Sequence, residues 1–131
     1  MSDSAATKPR RLRLVIGAIT IRAQLLDTGT AEALWQAAPF EARGQLWGDE
    51  VYFSTPVSMP AEKGARSIVE AGELAFWPDG DAIAIGFGPT PISRGKEIRL
   101  ASPCNIWAQA IDDVRALKTV RAGCAIRVER E

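Results

Sequence analysis

The chain has 131 residues, with 16 basic and 16 acidic side chains, so its formal net charge is zero. That balance argues against bulk electrostatic attraction to nucleic acid or an anionic membrane. The absence of histidine excludes Ser-His-Asp and Cys-His nucleophiles, imidazole-held zinc or haem, and histidine acid–base chemistry.

Residues 1–9 are small and polar, ending at Pro9, and read as a disordered tail; residues 10–131 read as one domain. The tail has no apolar stretch of the signal-peptide kind, and no run approaches the roughly 20 residues that cross a bilayer. The expected location is cytoplasmic. Lys8, Arg10, Arg11 and Arg13 form a short basic cluster without interleaved aromatics, so a solvated edge is preferred to a nucleic-acid arm.

Leu12, Leu14 and Ile16 alternate with polar neighbours, as do Ile19, Ile21, Ala23 and Leu25; Gly17-Ala18 between them makes a hairpin. Asp27 to Thr30 offers capping oxygens for a helix over Ala31–Ala38, which Pro39 ends, with Leu34 and Trp35 expected to face the core. Strands are expected over Ala42–Leu46 and Glu50–Thr55, joined by a turn at Trp47-Gly-Asp49. After a polar loop at 61–66, further strands are expected over 67–71, 73–77 and 82–87. Residues 92–103 then read as a long, turn-rich connection. A strand from Asn105 to Ile111, a short helix carrying Val114, Leu117 and Val120 inward, and a last strand from Cys124 to Glu129 complete the chain. This pattern predicts a mainly β fold of about eight short strands and two short helices. A closed barrel is preferred to a sandwich because pairing the first and last strands removes both edges.

Trp47-Gly-Asp-Glu-Val-Tyr-Phe53, Thr55-Pro-Val57, Gly72-Glu-Leu-Ala-Phe-Trp-Pro78 and Phe87-Gly-Pro-Thr-Pro-Ile-Ser93 together resemble the small prokaryotic cyclophilin-like family, whose function is not established. The resemblance covers roughly residues 10 to 130. It implies a cyclophilin-like closed eight-stranded β-barrel with a helix at each end, an atypical relative of the cyclophilin peptidyl-prolyl isomerases. The chain departs from those enzymes where they carry a phenylalanine-histidine-arginine run. Here the corresponding region has no arginine and holds Asp49 and Glu50; the nearest arginine is Arg43. A cation beside the imide nitrogen lowers the ~20 kcal/mol barrier to prolyl isomerisation, and ionised carboxylates cannot donate in its place. A robust isomerase is not expected.

Glu50 and Tyr52 point to the same side of their strand. With Trp47, Trp77, Phe87 and Thr90 they are the candidate ligand-binding residues, forming a largely apolar groove with few polar groups. Simpler readings stand beside these. Trp77 and Phe87 are read first as barrel filling, Glu50 as a solvated or ion-paired strand residue, and Thr90 and Ser93 as turn residues bonding local backbone. Asp79 and Asp81 lack the further oxygen ligands of a calcium loop and are read as turn residues. Trp35 and Trp107 are read as core or groove-edge packing. Cys104 and Cys124 lack metal or redox spacing and are read as buried inert thiols, with a disulfide between them as the alternative. No metal and no cofactor is expected. The expected partner is a small molecule or an extended peptide, with no nucleic acid and no membrane, and a homo-oligomer is compatible. The leading function is binding in the aromatic groove. The alternatives are a hydrolase-type or accessory enzyme using Glu50, or a weak peptidyl-prolyl isomerase.

Overall fold

The structure, a computed structural model, describes residues 10–131; the tail reading and Lys8 lie outside the described residues. Among the described residues, ten strands occur in the chain order β1 (Arg11–Ile16), β2 (Ile19–Leu25), β3 (Phe40–Arg43), β4 (Gln45–Leu46), β5 (Glu50–Ser54), β6 (Arg66–Val69), β7 (Glu73–Trp77), β8 (Ala82–Gly86), β9 (Ile98–Ala110) and β10 (Ala125–Arg130). The one described α-helix, α1, runs over Gly29–Ala37.

The period-two pattern of the first strands sets the barrel. Leu12, Leu14 and Ile16 are fully buried while Arg11, Arg13 and Val15 are half-buried on the outer face. Each buried aliphatic side chain contributes about 1.5–3 kcal/mol of transfer free energy. Gly17, at φ 59°, turns β1 back into β2 with Ile16 opposite Ile19. β1 also pairs with β10 along its length, from Leu12 opposite Arg130 to Ile16 opposite Ile126, so the first and last strands meet.

The ladder runs β3-β10-β1-β2-β9-β7-β8-β5-β4. β3 and β4 are consecutive pieces of the expected 42–46 strand, divided at Gly44, whose N–H donates to Cys124 O at 2.9 Å. A Cβ at Gly44 would stand 2.7 Å from Cys124 Sγ, so a larger residue here would make the Cys124 side chain move. Taken as one stave, β3 and β4 pair with β10 first and with β5 second, and the sheet becomes a nearly closed eight-staved barrel. Its interior holds Val51, Phe53, Leu74, Phe76, Ile83, Ile85, Phe87 and Trp107 beside the β1, β2 and β10 side chains.

Two helical segments cover the barrel. Thr28 Oγ1 accepts from Ala31 N at 3.0 Å to cap α1, and Leu34 is buried under it. Trp35 is half-buried between the guanidiniums of Arg10 and Arg130, 5.2 and 5.1 Å from its ring centre. The second segment, Val114–Thr119, is a 3-10 helix with Val114 and Leu117 buried. Arg10, Arg11 and Arg13 are ion-paired with Glu32, Glu131 and Glu129.

The expected loop at 92–103 is instead half strand. β9 starts at Ile98, pairs with β6 through its first half, and joins β7 and β2 through its second. Pro103, without an N–H, sits where the partner changes. Asn105, at the start of the second half, is 1% exposed. Its Oδ1 accepts from Glu62 N, and its Nδ2 donates to Pro60 O and Thr30 Oγ1. The Glu62 carboxylate in turn accepts from Thr30 N and Oγ1 at the start of α1. This buried polar knot ties the 60–62 loop, α1 and β9 together.

Candidate functional site

The outward faces of β5, β7 and β8 carry the residues that alternate with the core. On β8 these are Ala82, Ala84 and Gly86, and on β7 they are Ala75 and Trp77. All of β8 is buried because β6 and the first half of β9 pack outside it as a two-stranded ribbon. Val69, Ile98, Leu100 and Cys104 of that ribbon meet Ala75 and Ala84 in a second apolar cluster. The small outward residues make the room: a Cβ at Gly86 would overlap Ile98 Cγ2.

Between ribbon and barrel lies a cavity of about 280 Å³. Glu50 and Tyr52 line it from β5, Ala84 from β8, Trp77 from the end of β7, and Trp47 from the turn before β5. Leu100, Ala101 and Cys104 of β9 supply the remaining lining. Trp47 N donates to Glu50 O at 3.0 Å, and Asp49 is held by backbone bonds to Pro89 and Phe87, so the Trp47 turn is fixed to the barrel. The Trp77 indole N–H donates to Ser102 Oγ at 2.7 Å, which anchors the ring to β9.

Glu50 is not solvated and not ion-paired, contrary to the sequence expectation. It is only 6% exposed, and its Oε1 is enclosed without a hydrogen-bond partner. Burial disfavours the charged form and pushes the carboxyl up to about 7. The burial comes from the β6–β9 ribbon, which the expected loop reading of 92–103 left out. Cys104, in the same cavity, is pushed up to about 12, chiefly by burial and then by the Glu50 and Asp79 charges. Cys104 and Cys124 are both free thiols; Cys104 is buried and Cys124 half-buried.

Trp77 does not fill the barrel; it lies on the opposite face from Leu74 and Phe76 and joins the outer cluster. Phe87 does fill it, since it shares the inward parity of Ile83 and Ile85, and it does not line the cavity. Thr90 is also outside the lining. Its hydroxyl donates to Arg99 O and its N–H to Ser93 Oγ at 2.8 Å, closing the loop between β8 and β9. Trp107 is core, and Asp79 and Asp81 belong to the turn after β7, with Asp81 at φ 49°. Ala84, Leu100, Ala101 and Cys104 were not among the candidates. The run of small residues at alternate positions in β8 was the available signal, since such a face accepts a close-packed layer.

A family model described as cyclophilin-like matches residues 10–129. The chain belongs to the cyclophilin-like family. Among solved structures, this cyclophilin-like chain is similar to the hypothetical protein AF2241 from Archaeoglobus fulgidus. The two are 34% identical with a TM-score of 0.81, over 94% of this chain and 95% of that one. It also shares its fold with McbB, solved in complex with tryptophan, at 18% identity and a TM-score of 0.69, over 92% of this chain and 44% of that one. No curated protein matches the chain. The cavity of this cyclophilin-like domain is lined by no arginine or lysine. No described helix is long and apolar enough to cross a membrane.

Proposed function

We propose that the outer-face cavity binds a small organic molecule, and that this binding is the function of the domain. The observation that carries the reading is Glu50: a 6%-exposed carboxyl with an unpartnered oxygen, set among aromatic and aliphatic walls. Keeping an unpaired acid in such a place opposes folding, and groups of that kind cluster at functional sites. A small molecule is preferred to an extended peptide because the cavity holds about 280 Å³, closed on one side by the β6–β9 ribbon. The two free thiols fit a reducing, cytoplasmic setting.

The test is a fragment screen by thermal shift and by the indole N–H signals of the four tryptophans. Binding raises the melting temperature by mass action and moves the Trp47 and Trp77 signals, with Trp77→Ala abolishing both effects. A silent screen against a broad set of uncharged aromatic fragments, or shifts confined to Trp35 and Trp107, overturns the reading.

A second reading makes Glu50 a general acid–base, favoured by its position near 7, where proton transfer in either direction is accessible at working pH. Turnover of any amide or ester lost in Glu50→Gln, with binding retained, distinguishes catalysis from binding alone.

A further inference from the structure

We propose that the cavity selects an organic ammonium cation of the choline type, seated among Trp47, Tyr52 and Trp77 beside the Glu50 carboxylate. This rests on the cavity being a binding site, as argued above. The aromatic rings supply the electron-rich surfaces to which methylated ammonium ions are attracted, and attraction grows where water is excluded. The one carboxyl in the lining brings negative charge, and no lysine or arginine lines the cavity to neutralise it. The arginines of the surrounding ribbon are committed elsewhere. Arg66 on β6 pairs with Glu73, and Arg99 on β9 pairs with Glu97. An anionic ligand would meet an acid with no compensating cation in the lining. A bare metal ion would find few further ligands, because the remaining lining is aromatic, aliphatic or a thiol held protonated by burial, and no three-ligand cluster occurs among the described residues. A cation with an apolar coat satisfies both halves of the lining at once.

The test compares choline with its uncharged isostere 3,3-dimethylbutan-1-ol, by calorimetry and by indole N–H shifts at pH 8. Choline is expected to bind at least roughly tenfold more tightly than the isostere and to move the Trp47 and Trp77 signals. In Glu50→Gln the preference is expected to fall to about threefold or less while binding of the isostere persists, which also shows the variant folded. Equal or tighter binding of the isostere overturns the proposal, as does a Glu50→Gln variant that keeps the full preference. If choline fails while uncharged aromatic fragments bind, cation selection is wrong and the binding site stands. If neither class binds, both readings fall.

Discussion

Gly80 lies so close beneath the indole of Trp77 that a Cβ on it would overlap Cε3 and Cζ3 of the ring. The turn after β7 therefore sets the position of one wall of the cavity, and the Trp77–Ser102 bond holds the ring's other edge. Gly80→Ala is expected to displace the indole and cost about 1–3 kcal/mol of stability, the usual range for overpacking. Urea unfolding measures the cost, and a shifted Trp77 indole N–H signal reports loss of the Ser102 bond. An unchanged signal would show that the turn yields instead.

Burial of Glu50 makes folding stability depend on pH in a definite direction. Its carboxyl moves from an ordinary value of 4.5 to about 7 in the folded protein. Between those values the unfolded chain releases the proton while the native protein keeps it, so stability falls as pH rises through this window. Below 4.5 the penalty is absent, and above about 7 it is complete. That displacement corresponds to a penalty on the order of 3 kcal/mol. Asp112, Glu73 and Glu129 act oppositely. Arginine partners hold their carboxyls below the ordinary range, so their contribution is lost only in acid. Comparing Glu50→Gln with the parent by urea unfolding at pH 4 and pH 8 isolates Glu50. The variant is expected to gain relative stability only at pH 8.

Asn105 satisfies three partners from one buried amide. Asn105→Ala is expected to cost about 2–4 kcal/mol, because Glu62 N, Pro60 O and Thr30 Oγ1 all lose a partner near the core. Hydrogen exchange should show the 60–62 loop and the first turn of α1 opening more readily, while the β1–β10 ladder keeps its protection.

The two thiols should differ in reactivity. Cys104 is 1% exposed and pushed up to about 12, whereas Cys124 is half-buried at the start of β10. Alkylation of the native protein at pH 8 is expected to modify Cys124 first, with Cys104 reacting only as the protein opens. Peptide mass mapping over time reads the order.

No guanidinium lines the cavity, so no cation there donates to a twisting prolyl amide. Isomerisation of a proline peptide is expected to run at the same rate with and without the protein. A catalysed rate lost on Glu50→Gln would contradict this.

Much of this arrangement is legible in the sequence because alternation of period two is a local signal. It places Leu12, Leu14 and Ile16 inside, and Glu50 beside Tyr52 on one face. The same parity, carried through Ile83, Ile85 and Phe87, puts Phe87 inside, and carried through Leu74 and Phe76 puts Trp77 outside. The size of an aromatic side chain, taken alone, predicts barrel filling for both. The burial of Glu50 was not legible, because it depends on a ribbon formed with residues about fifty positions away. Ser102 and Pro103 disguise that ribbon as loop, although Ser102 holds the Trp77 indole and Pro103 sits where β9 changes partners. Asn105 was invisible for a similar reason: its partners are a loop carbonyl, a loop N–H and a helix hydroxyl, which no spacing rule relates.

The most direct test of the account is a carbon-13 titration of the Glu50 side-chain carboxyl in the native protein. A midpoint near 7 is expected, because burial disfavours the charged form of the acid. A midpoint at the ordinary 4.5 would show the carboxyl solvated, and would remove the feature on which the binding site rests.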